Sequence, residues 1–167
     1  MSDSTLCYEV PGVELIVQDK TMACWYASAM MVVNWADGKR SICSNVDDQT
    51  ISIYKANTGI QNPQIIPLAK RLGLVPVPAL CPTVDALFNW LGCYGPLWTN
   101  GVRHIVVIAG IRGDEGNGYD LKVYDPWPDN GISWRTLAGW YTGFNPGVYG
   151  ASSRDTSNSV EAVFLHA

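Results

Sequence analysis

The run from Cys24 to Trp35, CWYASAMMVVNW, contains neither glycine nor proline and is apolar on nearly every side. A helix of that kind has no face to offer water, so the rest of the chain must surround it. With 167 residues the expected solution is one domain, spanning 1–167, built around this central helix, which is expected to end at Asp37-Gly38. Capping signals extend the helical texture. A second helix is expected after Asn45. A third has Asn62 as its cap and Pro63 at its first position, is kinked or shortened by Pro67, and ends before Gly73. A fourth runs from Thr83 to Leu91 ahead of Gly92.

The second half changes period. Tyr94–Thr99, the β-branched run His104–Ile111 and Tyr119–Tyr124 read as strands, the last two joined by the turn-rich GDEGNG segment as a hairpin. Gly131–Arg135 and Ser159–His166 read as two more, separated by a Gly-, Pro- and Ser-rich loop from Gly143 to Ser157. Helices first and an antiparallel sheet second is the α+β pattern, with a cleft where the two halves meet.

Charge narrows the partners. The net charge is -4, the sequence pI is about 5.0, and no run of Lys and Arg is present to neutralise phosphates, so neither nucleic acid nor an anionic membrane is an expected partner. The segment from Met1 to Gln18 carries Asp3, Glu9 and Glu14 where a cleavable signal peptide has a basic patch, and Pro11-Gly12 interrupts its apolar residues, so no such signal is expected. The 7 Trp and 8 Tyr raise the weight of a lined groove without assigning one. Five cysteines, Cys7, Cys24, Cys43, Cys81 and Cys93, are scattered without a close pair, and with two histidines they make a zinc site unexpected; no metal or cofactor is called for. Cys7, Cys43, Cys81 and Cys93 are expected to be small buried hydrophobes.

Cys24 is different, because it opens the central helix. At that position the dipole and the unpaired backbone N–H groups stabilise a thiolate and make a nucleophile. Gln18 stands six positions earlier (24 − 18 = 6) and Trp25 directly follows. The segment QDKTMACWYASAMM is similar to the nucleophile motif of papain-like cysteine proteases, although Met22-Ala23 stands where that family often has Gly-Ser. GPLWTNGVRHIVVIAGI (95–111) and KVYDPWP (122–128) continue the resemblance, which lies closest to small bacterial members. These are the avirulence effector proteases of plant pathogens and, more distantly, the leader peptidases of bacteriocin exporters. The resemblance implies a papain-like fold and an oxyanion donor at Gln18.

A thiolate needs a base. His166 is the penultimate residue and is subject to fraying, whereas His104 opens a strand that can face the helix across the cleft. Asp125 lies 21 residues further on (125 − 104 = 21), at the end of the partner strand, so the hairpin brings it beside His104 as the group that orients the imidazole. Asn100, Asp120 and Asp129 are the alternatives for that role. Trp98, Trp127 and Trp134 are near in sequence and are given no role in the site.

The expected activity is peptide-bond hydrolysis by a Cys24, His104 and Asp125 triad. From the resemblance, the enzyme is a toxin or effector used between cells. It is expected to be exported without a cleavable signal and to act on proteins in a target-cell cytoplasm next to small residues such as a glycine pair; because an active Cys24 would harm its producer, a cognate inhibitor protein is expected too. A peptidoglycan amidase or endopeptidase, a transglutaminase or deamidase on the same triad, and a non-catalytic peptide-binding module remain open.

Overall fold

The helix that opens at Cys24 organises everything else. The computed structural model describes residues 5–40, 46–78, 82–101, 104–142 and 162–167. In chain order the elements are β1 (Leu6–Glu9), α1 (Cys24–Arg40), α2 (Asp48–Ala56), a 3₁₀ turn (Asn62–Gln64), α3 (Ile65–Leu72), β2 (Val75–Pro78), α4 (Val84–Tyr94), β3 (Leu97–Asn100), β4 (Ile105–Asp114), β5 (Gly118–Asp125), β6 (Gly131–Thr136), α5 (Leu137–Thr142) and β7 (Ala162–His166). The seven strands form one antiparallel sheet, six of them in the order β2-β7-β3-β4-β5-β6 with β1 joined to β4 outside that order. β3 pairs with the first half of β4, Ile105 to Ile108, and β1 with its second half, Gly110 to Gly113. The strand that begins beside His104 is therefore covered along both edges.

α1 packs on β3 and β4. Trp25 and Met31 of α1 are fully buried in one core with Leu97, Trp98, Ile108 and Phe164 of the sheet, which is the surround that its apolar surface demanded. Helices gathered against an antiparallel sheet are the α+β papain-like arrangement. Among the described residues, no helix is long and apolar enough to cross a membrane.

Several boundaries differ from expectation for identifiable reasons. α1 runs through Asp37-Gly38 to Arg40, since a helix anchored by this much core tolerates the roughly 1 kcal/mol that an internal glycine costs. α4 likewise passes Gly92 and ends at Gly95. There φ is +86° and a Cβ would overlap the Trp35 ring, so Gly95 is where only glycine fits. Asn62 and Pro63 belong to the 3₁₀ turn, not to the start of α3, which is the short helix that Pro67 predicts; Pro67 is its third residue, where the N–H it lacks has no intrahelical partner to lose. The strands β1 and β2 and the helix α5 were not expected; β2 reads VPVP, and its prolines are compatible with its place at the edge of the sheet. Cys7 and Cys93 are exposed, not buried, on β1 and α4 respectively. Cys43, Cys81 and the 143–157 loop lie outside the described residues, as do positions 159–161 of the expected last strand.

Candidate active site

The loop that delivers Cys24 is braced from three sides. Its first residue, Gln18, donates its backbone N–H to the Pro126 carbonyl at 2.8 Å, which ties the loop to the residue after β5. The Gln18 side-chain nitrogen donates to the Lys20 and Thr21 carbonyls at 2.8 and 3.1 Å, while its buried Oε1 has no partner among the described residues. The end of α2 holds the far side. Asn57, its left-handed C-cap at φ 53°, accepts the Met22 N–H at 2.9 Å and donates to Thr21 Oγ1 at 3.2 Å, and the Tyr54 hydroxyl donates to the Asp19 carboxylate. Each of these bonds removes freedom from a segment that has no regular structure of its own.

The first turn of α1 is fixed to the sheet in the same way. Trp98 Nε1 donates to the Trp25 carbonyl at 3.1 Å, and Ser28 Oγ donates to the Ile105 carbonyl at 3.3 Å, both in the interior. One of these contacts is next to Cys24 in sequence and the other next to His104. They bring the half-buried Cys24 thiol within hydrogen-bonding reach of the His104 imidazole.

His104 is 5% exposed and Asp125 is 0% exposed. Their Nε2 and Oδ1 atoms lie 2.7 Å apart. Oδ1 also accepts the Trp127 N–H at 2.9 Å, and Oδ2 accepts Asn130 Nδ2 at 3.0 Å and the Arg135 guanidinium at 2.6 Å. Burial alone would push the Asp125 carboxyl up, but the bond and charge of His104, then the bonds from Arg135 and Trp127, hold it below the usual carboxylate range. Because Asp125 is ionised, the bond at 2.7 Å must be donated by Nε2–H, which leaves Nδ1 for the thiol. Burial pushes the His104 imidazole down. The bond to Asp125, the bond to Cys24 and the charges of both outweigh it and carry the imidazole up to about 9.

Those two directions fix a stability profile. The His104 contribution is fully present below its ordinary value of 6.5 and is lost as pH rises through about 9; the Asp125 contribution is present above 3.8 and is lost as pH falls through its lowered value. Calorimetric melting temperatures at fixed ionic strength are therefore expected to be highest between about pH 4 and 6.5 and to decline towards pH 9. A flat curve over the alkaline half would mean that His104 is not held as the cation.

Of the residues singled out from sequence, Cys24, His104 and Asp125 come together, and Gln18 is tied by its backbone to Pro126, the residue after Asp125. The alternatives to Asp125 are engaged elsewhere. Asn100 donates to Asn62, Asp120 pairs with Arg112, and Asp129 occupies a left-handed turn position at φ 74°. His166 stacks on Tyr94 at 3.9 Å. Trp98 is core, and the Arg112 guanidinium lies over the Trp134 ring. Sequence reading missed Arg135, Asn130 and the Tyr54 and Asn57 clamp. The signal available for Arg135 was a long cation set on a strand at even spacing from Gly131, the residue that pairs with Asp125.

A family model described as papain-like cysteine protease AvrRpt2 matches residues 4–142. No curated protein matches the chain.

Proposed function

The chain belongs to the papain-like cysteine protease family of AvrRpt2 type, a family of peptide-bond hydrolases, and from that premise we propose that it is an effector endopeptidase which cleaves proteins in the cytoplasm of a target cell. The observation that carries the catalytic reading is the line of contacts from the Cys24 thiol through His104 to a saturated, ionised Asp125. In this reading the Cys24 thiolate attacks the scissile carbonyl while His104 is the imidazolium. The oxyanion is met by the backbone N–H of Cys24 and by Gln18, whose side-chain nitrogen exchanges a carbonyl of its own loop for the substrate oxygen. His104 gives its Nδ1 proton to the leaving amine, and the C–N bond breaks. A water then loses a proton to the same nitrogen, attacks the thioester and frees Cys24. Asp125 stays ionised throughout and holds the ring.

The resemblance to bacteriocin leader peptidases supports cleavage next to small residues such as a glycine pair. A cognate inhibitor, if it plugs the site, must cover Cys24 or His104.

A thiol-directed epoxide tests the nucleophile directly. Cys7 and Cys93 are exposed and Cys24 only half so, which means that accessibility alone favours the other two. Stoichiometric labelling at Cys24 ahead of the four other cysteines is expected; even labelling of the five would refute the assignment. Production in a bacterial cytoplasm is expected to stop growth, and delivery to the periplasm to have little effect. Lysis confined to the periplasmic form would transfer the site to peptidoglycan.

A further inference from the structure

We propose that Arg135 is a positioning residue of this site: its guanidinium keeps the Asp125 carboxylate aimed at His104, and its charge limits how tightly the imidazole holds its proton. The inference rests on reading Cys24, His104 and Asp125 as the triad. The geometry that carries it begins with strand register. Asp125 is paired with Gly131, Val123 with Ser133 and Leu121 with Arg135, so Asp125, Ser133 and Arg135 share one face of the β5–β6 ribbon. The Arg135 side chain runs along that face. Its Nε donates to Ser133 Oγ at 3.2 Å on the way, and its terminal nitrogen meets Asp125 Oδ2 at 2.6 Å.

Arg135 is 6% exposed, on a strand whose other residues are exposed or half-buried. A surface ion pair has no reason to be placed inside, and a buried one is held only where its geometry is good. Here Oδ1 takes His104 and Trp127, and Oδ2 takes Asn130 and Arg135, so four donors meet the four lone pairs of the carboxylate. The carboxylate cannot turn without stranding a buried donor. The charged groups acting on Asp125 are His104, ahead of β4, and Arg135, on β6; those acting on His104 are Asp125 and, from α1, Cys24. The order is guanidinium, carboxylate, imidazolium, thiol or thiolate. Removing the first charge leaves the carboxylate free to bind the imidazolium proton more tightly.

Proton NMR of the ring Hε1 resonances measures this without a substrate, since the chain has only two histidines. The wild-type His104 midpoint is expected at about 9. R135Q keeps a donor and loses the charge, and is expected to raise the midpoint by about half to one pH unit. R135K keeps the charge and is expected to stay within about 0.3 unit of the wild type. A folded R135Q whose midpoint does not move overturns the inference, and so does an R135K that shifts as far as R135Q. If R135Q does not fold, R135K decides: an unmoved midpoint supports the proposal and a displaced one overturns it. A wild-type midpoint near 6.5 removes the charged pair and this proposal with it. An epoxide that ignores Cys24, in a protein whose His104 responds to R135Q as expected, refutes the catalytic reading alone.

Discussion

Cys24→Ala is expected to abolish hydrolysis of a fluorogenic peptide library, by a factor of about 10⁴ or more, while leaving the fold intact. The loss is large because the sulfur is the reacting atom in the proposed mechanism, and no neighbouring group can form the thioester in its place. The fold survives because Cys24 is half-buried at the first position of α1, outside the fully buried set of Trp25, Ala29, Met31 and Val32. Alanine is also the better helix former. A melting temperature within about 3 °C of the wild type is the matching expectation, equivalent to about 1 kcal/mol for a domain of this size. Residual turnover would move the nucleophile to another cysteine, with the exposed Cys7 and Cys93 first to be examined. A collapse in stability would mean that the thiol is a packing element and that its contact with His104 is incidental.

Much of this site was legible because it follows from short-range rules. An apolar stretch without a breaker had to be a buried helix, so a cysteine at its start had to sit at a helix N-terminus. A hairpin closed by GDEGNG had to return Asp125 to the neighbourhood of His104, and the observed register, with Asp114 opposite Gly118 and Val107 opposite Tyr124, does so despite a bulge between Ile108 and Gly110. The parts that could not be read depend on contacts between segments far apart in sequence. Nothing near Asn57 announces that its side chain will hold the Met22 amide, because the two stand 35 positions apart and meet only when α2 packs beside the loop. Gly92 and Gly95 both read as stops, but only Gly95 is followed by proline, Pro96, and α4 ends there at φ +86°. The Trp35 ring, brought over by α1, leaves no room for a Cβ at that position, and nothing near it in sequence announces this. Arg135 is the intermediate case: the strand and its parity were readable, but the expected strand was not paired with the one that ends at Asp125, and without that pairing the cation had no partner.

Asp125→Ala is expected to damage stability and activity together, and the two losses have separate causes. Stability falls because Arg135 and the His104 cation lose their shared counter-charge in the interior, where stranding one partner of an ion pair costs about 3–5 kcal/mol. For a domain of this size that is a fall in melting temperature of roughly 6–20 °C. Activity falls by about 10²-fold or more because His104 is no longer held in the orientation, or in the charge state, that serves Cys24. Asp125→Asn separates the effects. An amide oxygen turned towards His104 and Trp127 still orients the ring, so activity is retained better than in the alanine variant. The amide nitrogen then faces Asn130 and Arg135, donor against donor, and stability is not retained. The double variant D125A/R135M removes both buried charges of that pair and is expected to recover most of the stability of D125A and none of its activity. Thermal melting and peptide hydrolysis on the four proteins decide the matter. Recovered activity in the double variant would mean that Asp125 serves only to neutralise Arg135, and the group that orients His104 would have to be sought elsewhere.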